Sequence, residues 1–389
     1  MKISIYKNGI STVVKFPKPV LELQDILDRQ HNQTGNSNVK IRFPDDRTMV
    51  FPAAMQGEVF HMNIYVLNAL INQYEQMPPE KRAAFVAVAD RLQVDHPNDL
   101  LPLLYNLETV PTVRAVSFAE LGQFCIDNEM LPEIENCPEE LLSCLDRERI
   151  GMMMADRNHG VFVGDYYCEP DHYECLNLSV EVGKPHGTFF SLLLGAPDDR
   201  QNAAWFSFPC AFEEIWHFAE QCGMEYEDLV CFTMHSALPH FSFDDMEALP
   251  DLNEVAWQLH DLSPESVTKV KAIMEETYEH DIAGLRRALR TMDEYQFEAV
   301  DDYSHYGLRY LRANLPEVFN ISALSNTDLY DLGVTVLGAK QGSMTEYGVL
   351  VRGDDLYSIL PKPDWMQEQT ESEDETETEN CDPTWGGMT

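Results

Sequence analysis

The chain has 389 residues, 44% of them hydrophobic and 10% aromatic, enough for two or three domains with cores of their own, which excludes wholesale disorder. Its 66 Asp and Glu against 27 Lys and Arg give a formal charge of −39. Binding phosphates needs a surplus of Lys and Arg, so this balance argues against nucleic acid or an anionic membrane as a direct partner and for a basic one.

Taken in chain order, alternating apolar residues predict strands at KISIYK, TVVKF and VKIRF, with an amphipathic helix over VLELQDILDRQ among them. Helices follow over 64–76, over 79–92 with proline in the first turn, and over 100–107. Ser117 with Glu120 three residues on forms a capping box that starts a helix over 118–128, and Glu139 and Glu140 after Pro138 favour the positive end of another. GVFV at Gly160 reads as a strand. Beyond it LNLSVEV, FFSLLLG, WFSF and VCFTM are strands, 250–261, 264–278 and 283–292 are helices, and GVLV at Gly348 is a last strand. From Met366 to Thr389 eight acids alternate with Thr and Ser and no base occurs, which reads as a disordered tail.

The second half repeats the first at an offset that drifts between 182 and 192 residues. Phe16-Pro17 leading into VLELQDILDRQ matches Phe208-Pro209 leading into AFEEIWHFAEQ, and Met77-Pro78-Pro79-Glu80 matches Leu262-Ser263-Pro264-Glu265. LGQFCIDNEMLPEI answers YGLRYLRANLPEVF, Ile150-Gly151 answers Leu332-Gly333, and GVFV answers GVLV. The expected architecture is therefore α+β: a duplicated chain of small α/β and helical subdomains, with copies over 1–174 and 175–362 and an acidic tail over 363–389.

The charge is segregated. Residues 115–146 hold eight acids and no base, and 201–268 hold 13 acids and no base, although single-sign fields repel themselves. Glu120 and Asp127 share one helix face, as do Glu213 with Glu220, and Asp251 with Glu254 and Asp261. Neighbouring carboxylates on such a face lie about 5–6 Å apart, the order of phosphate spacing along a strand. No common nucleotide, nucleophile or zinc fingerprint occurs, so no catalytic residue and no cofactor are assigned. The best metal candidates are Cys168, His172 and Cys175, with Asp171 or His159 as a fourth ligand, but their spacing fits no common zinc module, and ordinary thiols with a surface histidine are the plainer account. Nine scattered cysteines and no leader-like start point to a reducing cytoplasm, and no apolar run approaches a membrane span.

The stretch AVSFAELGQFCIDNEMLPEIENCPEELLSCLDRERIG, followed by HGVFVGDYYC, resembles the antirestriction proteins of the ArdA type in its acidic helical segment, antirestriction motif and closing Gly-Val-aromatic strand. LNALINQYEQMPPEKRAAFVAV is similar to that family's central segment. The resemblance implies an elongated chain of these subdomains that mimics B-form DNA and occupies the DNA groove of a type I restriction-modification enzyme, its methyltransferase and specificity core, without catalysis. It carries Glu133, Glu135, Glu139, Glu140 and Asp146 as phosphate-mimicking acids. Family members dimerise, so the chain is expected as a homodimer or, with both copies in tandem, as a monomer. The competing expectations are an acidic adaptor or chaperone for a basic protein, and a metal-dependent hydrolase built on Cys168 and His172.

Overall fold

In the computed structural model β1 (Lys2–Lys7) buries Ile3 and Ile5 on one side, as its alternation requires, and pairs with β2 (Ile10–Lys15) as a hairpin. Residues 1–7, 10–30, 37–43, 52, 55–135, 137–142, 144–175, 187–315, 325–353 and 355–358 are described. After the hairpin come α1 (Val20–Arg29), β3 (Asn38–Arg42) and β4 (Val59–Asn63), and the antiparallel sheet has the order β2-β1-β3-β4. Against it lie α2 (Ile64–Gln76) and α3 (Pro79–Arg91), then α4 (Leu100–Leu103). Leu23 and Leu27 of α1, Leu67, Leu70 and Ile71 of α2, and Phe85 and Val88 of α3 fill one core with Ile3, Ile5, Val39 and Ile41.

A second core follows along the chain. β5 (Thr112–Arg114), α5 (Phe118–Asp127), the short α6 (Pro132–Glu135) and α7 (Glu139–Leu142), α8 (Arg147–Asn158), β6 (Val161–Val163) and β7 (Tyr166–Cys168) enclose Leu121, Cys125, Ile150, Met154 and Tyr167. The helices α5 and α8 meet backbone to backbone. A Cβ on Gly122 would stand 1.7 Å from the Arg147 carbonyl oxygen, and one on Gly151 would stand 1.9 Å from that of Phe118. The sheet has the order β5-β7-β6.

From β8 (Phe190–Gly195) the same order of elements returns. β9 (Ala204–Phe208), α9 (Glu213–Cys222) and β10 (Val230–Ser236) precede α10 (Leu249–His260), α11 (Pro264–Thr277) and α12 (Ile282–Thr291). Then come β11 (Tyr295–Glu298), α13 (Tyr303–Asn314), α14 (Asn326–Ala339), β12 (Ser343–Thr345) and β13 (Gly348–Arg352). Only β4, α6 and α7 have no counterpart among the described elements. Both Phe16-Pro17 and Phe208-Pro209 are cis. Gly307 and Gly333 bring α13 and α14 together as Gly122 and Gly151 bring α5 and α8, with a Cβ 2.2 or 2.0 Å from the facing carbonyl oxygen. The strand match needs correcting: GVFV is the outer strand β6, whereas GVLV lies in β13, the centre of the order β11-β13-β12, so β13 stands where β7 stands. GVFV precedes its hairpin turn and GVLV follows its own, so the shared Gly-Val pair does not mark equivalent strands.

The chain divides into two compact units, one over Met1–Arg290 and the other starting at Thr291. The second has its own core of Val300, Tyr306, Val336, Leu337, Val349 and Val351. The fold is α+β, with small antiparallel sheets and amphipathic helices throughout. The expected strand LNLSVEV and the expected tail lie outside the described residues. Among the described residues no helix is long and apolar enough to cross a membrane.

Candidate partner-binding surface

The acids singled out by the sequence fall on helix faces and helix ends. In α5 the backbone N–H of Glu120 donates to Ser117 Oγ at 3.3 Å, and Glu120 Oε2 accepts from the Val116 N–H at 3.0 Å, so this carboxylate serves the helix start while exposed. Asp127, at the other end of α5, accepts from Gln123 Nε2 at 2.5 Å. Asp146 caps α8 through the Arg149 N–H at 3.2 Å. Glu135 ends α6 and is exposed. Glu133 lies in α6 and Glu139 and Glu140 in α7, their side chains outside the described residues. Among the described residues Glu120, Asp127, Glu135 and Asp146 make no ion pair. The single sign of this segment ends at Asp146, since α8 exposes Arg147, Arg149 and Arg157 beside Glu148 and Asp156.

Of the 13 acids between 201 and 268, all but the half-exposed Asp251 are exposed, so the single-sign field is a surface property. Glu213 opens α9, and Glu220 near its end has the His217 Nδ1 at 3.5 Å. The α10 stripe behaves differently. Arg286 of α12 reaches Asp251 at 2.8 Å and Glu254 at 2.5 Å, so two of its carboxylates share one guanidinium while Asp261, at the helix C-terminus, stays exposed. Sequence spacing gave no sign of Arg286, because the pair forms only when α12 comes to rest beside α10.

Cys168, His172 and Cys175 are not brought together as ligands. Cys168 is buried against Ala83 and Ala87 of α3, and burial pushes its thiol to about 11, whereas a metal needs the thiolate. His172 Nε2 stands 3.5 Å from Glu169 Oε2, and Cys175 is exposed. Asp171 is gripped by Arg91 at 2.5 and 3.0 Å with His159 Nδ1 at 3.1 Å, and the Arg91 fork holds its carboxyl below the usual range. Among the described residues no three His, Cys, Asp or Glu side chains are placed to share an ion.

The sequence reading overlooked the aromatic side chains of the acidic span. Phe212 packs its ring edge-on against Trp216 at 5.6 Å and Tyr226 at 5.3 Å, and Trp205 stacks on His235 at 4.7 Å. Trp205, Trp216 and Trp257 are each about half exposed, which is unusual for the largest apolar side chain. The signal was present in the residues themselves: three tryptophans within a stretch devoid of Lys and Arg. No protein-family model matches the chain, and no curated protein matches it.

Proposed function

We propose that the chain is a DNA mimic that occupies the DNA-binding groove of a type I restriction-modification enzyme in the cytoplasm and blocks it without catalysis. The observation that carries this reading is the exposed, single-sign acidity of residues 201–268, in which Arg286 answers only Asp251 and Glu254 among the described residues. A surface of that kind stores self-repulsion, which a basic groove relieves. The resemblance of residues 115–168 to antirestriction proteins selects the groove, and the two copies in one chain supply both halves of the mimic to a monomer.

The test is competition. Purified chain is titrated at physiological salt into a type I methyltransferase holding labelled target duplex, and displacement is expected near one equivalent. Reversing Glu133, Glu139 and Glu140 to Lys should weaken displacement several-fold, and deleting residues 367–389 should leave it unchanged. An acidic adaptor would instead bind unrelated basic proteins equally well, and that result sinks the mimic. Sedimentation of the free chain at the mass of a dimer would remove the monomer from the proposal.

A further inference from the structure

The chain contains its own comparison for one helix face. Asn68 of α2 accepts from the Lys18 N–H at 2.8 Å and donates to the Lys18 carbonyl at 2.9 Å; Asn253 of α10 holds Cys210 in the same two-sided way, both at 3.0 Å. Setting Lys18 on Cys210 puts α1 on α9. Leu23 then falls on Ile215 and Leu27 on Ala219, all buried, while Gln24, Asp25 and Asp28 fall on Trp216, His217 and Glu220.

On α1 that outward trio is occupied. Gln24 Oε1 accepts from the Tyr65 hydroxyl at 3.0 Å, and the Lys271 ammonium, carried in by α11, stands 3.2 Å from Asp25 and 2.6 Å from Asp28. Lys271 is wholly buried, and the two carboxylates are 13% and 14% exposed. On α9 the trio is bare: Trp216 is 50% exposed, His217 76% and Glu220 77%. Phe212 and Tyr226 flank Trp216, and Glu213, Glu214, Glu227 and Glu247 are exposed in the same region, with Glu227 and Glu247 both acting on the Tyr226 hydroxyl.

We infer that the outward face of α9 is the docking site for an arginine-bearing helix of a basic protein, seated as α11 seats Lys271 on α1. The replacement of Gln24 by Trp216 selects arginine over lysine. A planar guanidinium stacks on the indole face while its N–H groups reach carboxylates such as Glu220, whereas an ammonium is drawn to the ring as a point charge but neither stacks on it nor forks to a carboxylate. An exposed Trp216 beside a partly buried Tyr226, ringed by charge, matches the composition of binding hot spots. A second copy of the chain does not supply the cation by symmetry. The counterpart of Lys271 on α3 is Val86, which is buried, so the reciprocal contact of a two-fold pair is not built. The inference rests on the comparison of α1 with α9 and holds whether or not the target is a restriction enzyme.

The test uses the full chain and a labelled 14-residue helical peptide carrying one Arg at the centre of a Leu/Ala face, with twins in which Lys or Gln replaces the Arg. Anisotropy should show saturable binding of the Arg peptide, and binding about ten-fold weaker for the Gln twin, with Lys between. Trp216→Ala and Glu220→Gln should each weaken the Arg peptide several-fold, and Glu265→Gln, the same loss of charge on α11, should leave it within about two-fold. All three side chains are exposed, and circular dichroism checks that the variants fold. Equal binding of the Arg and Gln peptides, equal loss in Glu265→Gln, or no saturable binding overturns the site.

Discussion

Asn253 satisfies an N–H and a C=O of the same backbone residue from a buried position, so its side chain has two partners that nothing else in the neighbourhood replaces. Asn253→Ala leaves both groups without this partner and should cost about 2–6 kcal/mol in urea unfolding, at about 1–3 kcal/mol for each of the two groups stranded. Asn68→Ala should cost less, because Asn68 is only partly buried and water can take its place. Aspartate should rescue neither, since a carboxylate accepts from the N–H but cannot donate to the carbonyl. A pH effect belongs to His235, where burial holds the imidazole below its usual range against the upward pull of Glu22. Above about pH 6.5 the ring is neutral folded and unfolded, and stability is unaffected. As pH falls from there through the depressed folded value, the unfolded chain binds the proton first and stability drops. His235→Phe keeps a ring for Trp205 to stack on and should flatten the loss between pH 7 and pH 5, with thermal melts as the measurement.

The helices were readable because their signals are local. Proline at the first turn, serine at the cap and a heptad of apolar residues place α2, α3, α5, α10 and α11 within a residue or two of expectation. The three-residue strands β5, β7 and β12 were not readable, since a strand that short is defined by its partner across the sheet rather than by its own pattern. The glycine pairs lie between these cases: the repeat flagged Gly151 and Gly333, but only the crossing of the helices gives the reason. Gly122→Ala and Gly151→Ala must each push α5 from α8, and at least about 3 kcal/mol of destabilisation is expected, the top of the overpacking range. Gly338→Ala in α14 meets nothing within 4 Å and should stabilise by up to about 1 kcal/mol, so the contrast separates a crossing glycine from an idle one. At the junction of α1 and α11, Lys271→Met takes the ammonium from between Asp25, which keeps its pair with Arg29 at 2.9 Å, and Asp28, which keeps its bond from Gln24 at 2.9 Å, and should cost about 3–5 kcal/mol. Adding Asp25→Asn and Asp28→Asn should recover much of it, because an apolar or neutral replacement of a buried ion cluster costs little.

For the molecule as a whole, the acidity was legible by counting, but its distribution between free and paired carboxylates was not. Counting sees 13 acids between 201 and 268; only the fold shows that Arg286 spans two of them and that Asp146 also caps a helix, whereas the capping by Glu120 was readable from its spacing to Ser117. A chain at −39 whose acids between 201 and 268 are nearly all exposed and unmixed with bases pushes against its own compactness. At 0.01 M salt the Debye length is about 30 Å, so carboxylates on neighbouring helices repel; at 0.15 M it is about 8 Å, and only adjacent charges do. The midpoint of thermal unfolding should therefore rise by several degrees as NaCl increases from 0.01 to 0.15 M. Deleting residues 367–389 should leave that rise nearly unchanged, since the tail holds only eight of the 66 acids. Arg286→Gln removes the cation from between Asp251 and Glu254 and should steepen it. If the salt response vanished with the tail, the self-repulsion would reside there, and the folded surface would lose the stored repulsion that makes a basic groove its natural complement.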